Sequence, residues 1–169
     1  VIRRQDYQPL PFHTDKVRMT IDIYDQKTIV TTSFHLMKNQ EKHTNSSPGD
    51  NNEFVLDGDA SCVKLLSIAR GHGHHGHDDV GGATAAAAVK SDEEVLLHEG
   101  VDYTLSKTKL VLNNPHDNAW YTTVVEICPE TNTQLAGLYK SGDMYCTQCE
   151  ANGFRRMTYF PDRPDNMAT

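Results

Sequence analysis

Lys16-Val17-Arg18-Met19-Thr20-Ile21-Asp22-Ile23-Tyr24 alternates without a break. On an extended backbone Val17, Met19, Ile21 and Ile23 fall on one side, with Arg18, Thr20, Asp22 and Tyr24 opposite. That is the pattern of a half-buried strand. Asp25-Gln26-Lys27 is polar and short enough for a hairpin turn, and the pattern resumes over residues 28–37, where Val30, Phe34 and Leu36 share a face. Further strand-like runs follow at residues 53–56, 62–69, 94–98, 103–105, 109–112 and 120–128. Turn formers such as Asp57-Gly58 and Asn113-Asn114-Pro115 separate them. Met157-Thr158-Tyr159-Phe160 reads as one more strand before Pro161 and Pro164 interrupt it. No segment sustains a 3.6-residue apolar period. The expected fold is all-β.

Two stretches depart from this pattern. Residues 40–52 are polar, contain Pro48 and Gly49, and read as a loop. Residues 71–92 are a low-complexity tract of Gly, His and Ala that cannot bury enough apolar surface to offset its ordering entropy. It reads as a disordered insertion within a hairpin. The 169 residues otherwise suit one domain spanning 1–169. The chain begins at Val1 rather than Met and stops at Thr169 without a closing element, as expected of a piece cut from a longer protein.

A net charge of −7 argues against a broad nucleic-acid surface. No apolar run reaches membrane-span length. The cysteines, Cys62, Cys128, Cys146 and Cys149, are too few for a disulfide-rich secreted scaffold and favour a reducing, cytoplasmic compartment.

Several motifs invite chemistry and fail on context. His72, His74, His75 and His77, with Asp78 or Asp79, could bind zinc or nickel, but the interleaved glycines do not preorganise a site. Cys146-Thr147-Gln148-Cys149 lacks the helix that a redox Cys-x-x-Cys requires, so ordinary buried thiols fit better. His98-Glu99-Gly100-Val101-Asp102 begins like a zinc-protease motif, yet its fifth residue is Asp and Gly100 disfavours a helix, so a turn is expected. No phosphate loop, nucleophile elbow or paired catalytic carboxylates are found. Gln148 and Glu150 remain. On an extended strand, residues two apart share a face, so a carboxamide and a carboxylate would stand side by side, suited to a polar cation. Taken alone, such a pair is usually a solvated strand face.

The setting of that pair carries more. Asn132-Thr133, Gly137-Leu138-Tyr139-Lys140-Ser141, Cys146-Thr147-Gln148-Cys149-Glu150-Ala151, Gly153-Phe154-Arg155-Arg156 and Asp162-Arg163-Pro164-Asp165 before Met167 follow in that order. This segment resembles the end of the N-terminal domain in zinc aminopeptidases of the M1 family. Asp6-Tyr7 with Pro9, the strand pair near the start, Val55-Leu56-Asp57-Gly58 and Asp102-Tyr103-Thr104-Leu105 extend the resemblance over nearly the whole chain. The resemblance implies a saddle-like β domain packed on a thermolysin-like catalytic domain of the same chain. It implies that Glu150 binds the free α-ammonium of a peptide and that Gln148 contacts its first residue. Asn152, Asp143 and Asn166 stand where the family usually has Glu, Gly and Val.

The family's Gly-x-Met-Glu-Asn and His-Glu-x-x-His motifs are missing, so zinc would be held beyond this sequence and the chain alone would be inactive. The surface meant for the catalytic domain would be free to self-associate. A free-standing β-sandwich interaction domain is the competing reading, and a metal-binding module built on the histidine tract is a third.

Overall fold

The computed structural model describes residues 9–39, 52–71 and 94–168. Among these residues are ten strands: β1 (Phe12–Tyr24), β2 (Lys27–Lys38), β3 (Glu53–Asp57), β4 (Lys64–Gly71), β5 (Val95–Leu96), β6 (Tyr103–Leu105), β7 (Lys109–Asn113), β8 (Ala119–Ile127), β9 (Gly137–Ser141) and β10 (Met144–Gln148). They form a five-stranded sheet β1-β2-β8-β4-β5, a three-stranded sheet β3-β7-β6 and the hairpin β9-β10, all antiparallel. No α-helix occurs among the described residues; two short 3-10 turns, Pro129–Thr131 and Phe154–Arg156, are the only helical pieces there. The all-β expectation holds. The His/Gly/Ala tract from residue 72 onward and residues 40–51 lie outside the described residues.

The opening alternation becomes β1 in the expected sense. Val17 pairs with Phe34, Met19 with Thr32 and Ile21 with Val30, so the apolar side of β1 continues the core side of β2. Coverage runs out along this edge strand: Val17, Met19 and Ile21 are half-buried, and Ile23 is 44% exposed. One extra residue, Asp15, interrupts the register between Thr14 and Lys16. Such a bulge re-aims a side chain, and Asp15 Oδ1 lies 2.7 Å from His35 Nδ1 on β2.

The core is built by alternate residues. Val30, Phe34 and Leu36 of β2, Tyr121 and Val125 of β8, Phe54 and Leu56 of β3, and Leu110 and Leu112 of β7 are all buried. Phe12 on β1 meets Phe54 on β3 edge to face at 6.0 Å, linking the five-stranded sheet to the three-stranded one. Phe34 stacks on Tyr121 at 5.9 Å and meets Phe160 edge-on at 6.3 Å.

Two expectations need correction. Residues 94–98 shorten to Val95–Leu96, because the His98 backbone N–H is taken by Asp102 Oδ2 at 2.9 Å and the chain turns at Gly100, φ +82°. The resemblance to a zinc-protease motif there is therefore a turn, as expected.

Residues 157–160 do not form a strand. Met157, Thr158, Tyr159 and Phe160 are all buried in succession, which an alternating strand on one sheet face cannot do. The segment threads into the core and touches β3 by one bridge, Asp57 to Phe160. Thr158 Oγ1 lies 3.0 Å from Thr32 Oγ1 and 3.4 Å from Thr123 Oγ1, so its hydroxyl is satisfied inside the core. Beside it, a Cβ added to Gly58 would sit 2.2 Å from the Tyr159 ring, so the Asp57-Gly58 turn needs glycine to admit that ring.

Candidate functional site

The β9-β10 hairpin turns on two residues, Gly142-Asp143, with Gly142 at φ +59°. Asn132 anchors its first strand, donating from Nδ2 to the carbonyls of Ala136 at 2.8 Å and Leu138 at 2.9 Å. Tyr145 on β10 donates its hydroxyl to Glu130 Oε1 at 2.5 Å, and this bond holds the Glu130 carboxyl below the usual carboxylate range. The hairpin is thereby tied to the Pro129–Thr131 turn.

Gln148 is the last residue of β10, and Glu150 lies beyond the strand, in a turn. The expected common strand face is therefore absent: the backbone leaves the extended conformation between the two residues. The Glu150–Ala151 peptide is cis. Gln148 and Glu150 are nevertheless neighbours, because Gln148 Nε2 donates to the Glu150 backbone carbonyl at 3.2 Å. Both side chains are exposed. Among the described residues no hydrogen-bond or ion-pair partner reaches the Glu150 carboxylate.

The turn is closed and supported from beneath. Gly153 N–H donates to the Cys149 carbonyl at 2.7 Å. A Cβ on Gly153 would stand 2.2 Å from the Gln148 carbonyl oxygen and 2.7 Å from Cys149 Cα, so only glycine lets these backbone segments meet. Gly137, at φ +76°, would in turn place a Cβ 2.9 Å from Arg156 Cβ.

Arg155 then reaches three segments. Its Nε donates to Asp162 Oδ2 at 2.9 Å, its Nη2 to Asn152 Oδ1 and to the Asp162 carbonyl, both at 3.1 Å, and its Nη1 lies 3.8 Å from Asp57 Oδ1. Arg156 pairs with Asp59. The Ser61 hydroxyl first, and the Arg156 charge after it, hold the Asp59 carboxyl below its ordinary value.

In the sequence, Gly153-Phe154-Arg155-Arg156 is only a pattern. The geometry gives its physical content: a glycine for close approach and two cations that pin the turn to β3 and to the C-terminal segment. Asn152, a departure from the family pattern, serves as an acceptor for Arg155. Asn166, another departure, is buried and accepts from Thr14 N–H at 3.1 Å. Asp143 occupies the hairpin tip.

The cysteines are free thiols. Burial raises the Cys149 and Cys62 pKa values, which favours their protonated forms. Cys149 Sγ rests 3.7 Å from Met157 Sδ, in a packing role. Cys146 and Cys149, expected to be buried thiols, are only half-buried, and Cys128, just past the end of β8, is exposed. The four histidines of the tract lie outside the described residues, and among the described residues no group of three or more His, Cys, Asp or Glu side chains is placed to hold a metal ion.

Fold and turn together define a class: an all-β antiparallel domain that matches the N-terminal region of aminopeptidases. More particularly, the chain is homologous over nearly its whole length to the N-terminal ~15% of aminopeptidase N, of the M1 family. Aminopeptidase N of Caulobacter vibrioides is 34% identical over 160 residues, covering 95% of this chain and 15% of that protein. Aminopeptidase N of Escherichia coli is 32% identical over 165 residues, covering 98% and 15%. A segment of 45 residues, 27% of this chain, is 58% identical to aminopeptidase N of Haemophilus influenzae. Among solved structures, Legionella pneumophila aminopeptidase A in complex with aspartic acid superposes with a TM-score of 0.67 at 26% identity, covering 97% of this chain and 16% of that one. No family model matches the chain. The chain thus spans about 15% of the length of the curated aminopeptidase N relatives that it matches over nearly its whole length.

Proposed function

We propose that this chain is the substrate-recognition part of a zinc metallo-aminopeptidase that removes N-terminal amino acids from peptides, with Gln148 and Glu150 at the substrate's first residue. The observation that carries this reading is the Glu150 carboxylate, exposed and without a partner among the described residues, on a turn braced by Gly153 and Arg155. An unpaired carboxylate on a braced turn suits an ammonium. A charge-assisted N–H···O⁻ bond is strong when partly desolvated. An internal peptide segment offers a neutral amide at that point and would leave the carboxylate desolvated without compensation. Free N-termini are therefore preferred, which is the discrimination an exopeptidase needs.

In such an enzyme zinc would polarise the scissile carbonyl and activate water. The resemblance to M1 aminopeptidases implies that the metal and the general base come from the catalytic part of the enzyme. This part contributes binding and orientation. By itself it should not hydrolyse an alanyl chromogenic substrate, and measurable turnover by the isolated chain would contradict the assignment.

The decisive experiment is Glu150→Ala in the full-length enzyme. Loss of one charged hydrogen bond is expected to lower kcat/KM for a free-amine peptide on the order of 10- to 100-fold. A wild-type kcat/KM would remove the ammonium role and favour an interaction domain without catalytic function.

A further inference from the structure

We infer that Asn152 and Arg155 act as positioning residues for Glu150, holding the Cys149–Gly153 turn so that its carboxylate stands where a substrate amine arrives. This rests on the recognition role proposed for Glu150.

Among the described residues the Glu150 carboxylate is not held directly. Gln148 bonds to its backbone, and no described side chain reaches its carboxylate. Placement must therefore come from the turn. One end of the turn is fixed by close packing, since Gly153 lies against the Gln148 carbonyl and donates to Cys149. Between that end and Glu150, the side chain anchored to the body of the domain is that of Asn152, whose Oδ1 accepts from Arg155 Nη2 at 3.1 Å.

Arg155 is itself immobilised. Asp162 accepts from its Nε at 2.9 Å and from its backbone N–H at 3.2 Å, and the Asp162 carbonyl accepts from Nη2 at 3.1 Å. A planar guanidinium can serve Asp162 and Asn152 together. A lysine, one point charge on a flexible stem, cannot hold both in one geometry. Asn152 is exposed and neutral, so it contributes neither core packing nor charge toward an ammonium. What it contributes is the fixed bond to Arg155.

The test uses the full-length enzyme, an alanyl chromogenic substrate, and separate measurement of kcat and KM. An ammonium contact is made alike in the bound substrate and in the transition state, so losing its alignment raises KM and leaves kcat nearly unchanged. Asn152→Ala is expected to raise KM about three- to tenfold, the scale of one hydrogen bond. Simple destabilisation would instead lower the active fraction, and with it kcat, at constant KM.

Arg155→Lys should raise KM by a similar factor, and the double variant should be no worse than the poorer single one, because both remove the same contact. An unchanged KM for Asn152→Ala, a loss confined to kcat, or fully additive effects would each overturn the inference. Glu150→Ala separates the two levels. If it lowers kcat/KM while Asn152→Ala leaves KM unchanged, only the positioning role falls. If neither changes kcat/KM, the recognition role falls too.

Discussion

Along β2, Thr28, Val30, Thr32, Phe34 and Leu36 are all completely buried, whereas at the end of β10 and just beyond it the side chains of Gln148, Glu150, Ala151 and Asn152 are all exposed. The first region is held by area removed from water and by close packing of rings. The second buries almost nothing at its tip and is held by contacts from below: glycine against backbone, arginine against Asp162 and Asn152. On the recognition role proposed for Glu150, substitutions at the tip should change recognition and spare the fold, while substitutions in β2 should do the reverse.

The largest effect expected is Phe34→Ala. It removes a ring packed between Tyr121 and Phe160, and unfolding by urea should show a loss of about 3–5 kcal/mol. A loss below about 1 kcal/mol would mean that this core is not the stabilising region.

Gly153→Ala lies between the regions. Its Cβ would have to displace the Gln148 carbonyl, and a cost of about 1–3 kcal/mol is expected, together with impaired recognition by Glu150. Impaired turnover at wild-type stability would sharpen the division. Unchanged turnover would show that the turn adapts.

A pH dependence should follow from Asp59. Its carboxyl ionises more readily in the folded protein than in the unfolded one, so its contribution is complete above the ordinary carboxylate range. It is lost as pH falls through the lowered folded-state value. Asp59→Asn should flatten this acid limb of a melting-temperature profile, and an unaltered limb would assign it to other carboxylates. Smallest of all, Glu150→Ala should leave stability within about 0.5 kcal/mol of wild type, as a substitution at an unpaired surface group does. A large loss would place Glu150 in the fold rather than in the site.

The strands were largely legible because strand alternation is local. The side chains at 17, 19 and 21 must share a face whatever the rest of the chain does, and pairing with β2 then follows from a short turn. Residues 157–160 read as a strand for the same reason. An apolar run looks alike whether it lies on a sheet or threads into a core, and only the partners at Asp57, Thr32 and Phe34 distinguish the two.

The site was legible as a pattern and not as a geometry. The residues Gln148 and Glu150, the glycine and the two arginines could be picked out from their order, and the order carried the resemblance to M1 aminopeptidases. The sequence by itself thus determined the period of the strands and the kinship of the chain, because both are written in neighbouring residues. Only the tertiary structure decided that Gln148 and Glu150 meet across a turn rather than along a strand, and that the arginines hold that turn. Arg156 finds Asp59 across 97 positions of sequence, and Arg155 finds Asp57, Asn152 and Asp162 at once. Such contacts depend on where the folded sheets bring distant segments, which no local spacing encodes.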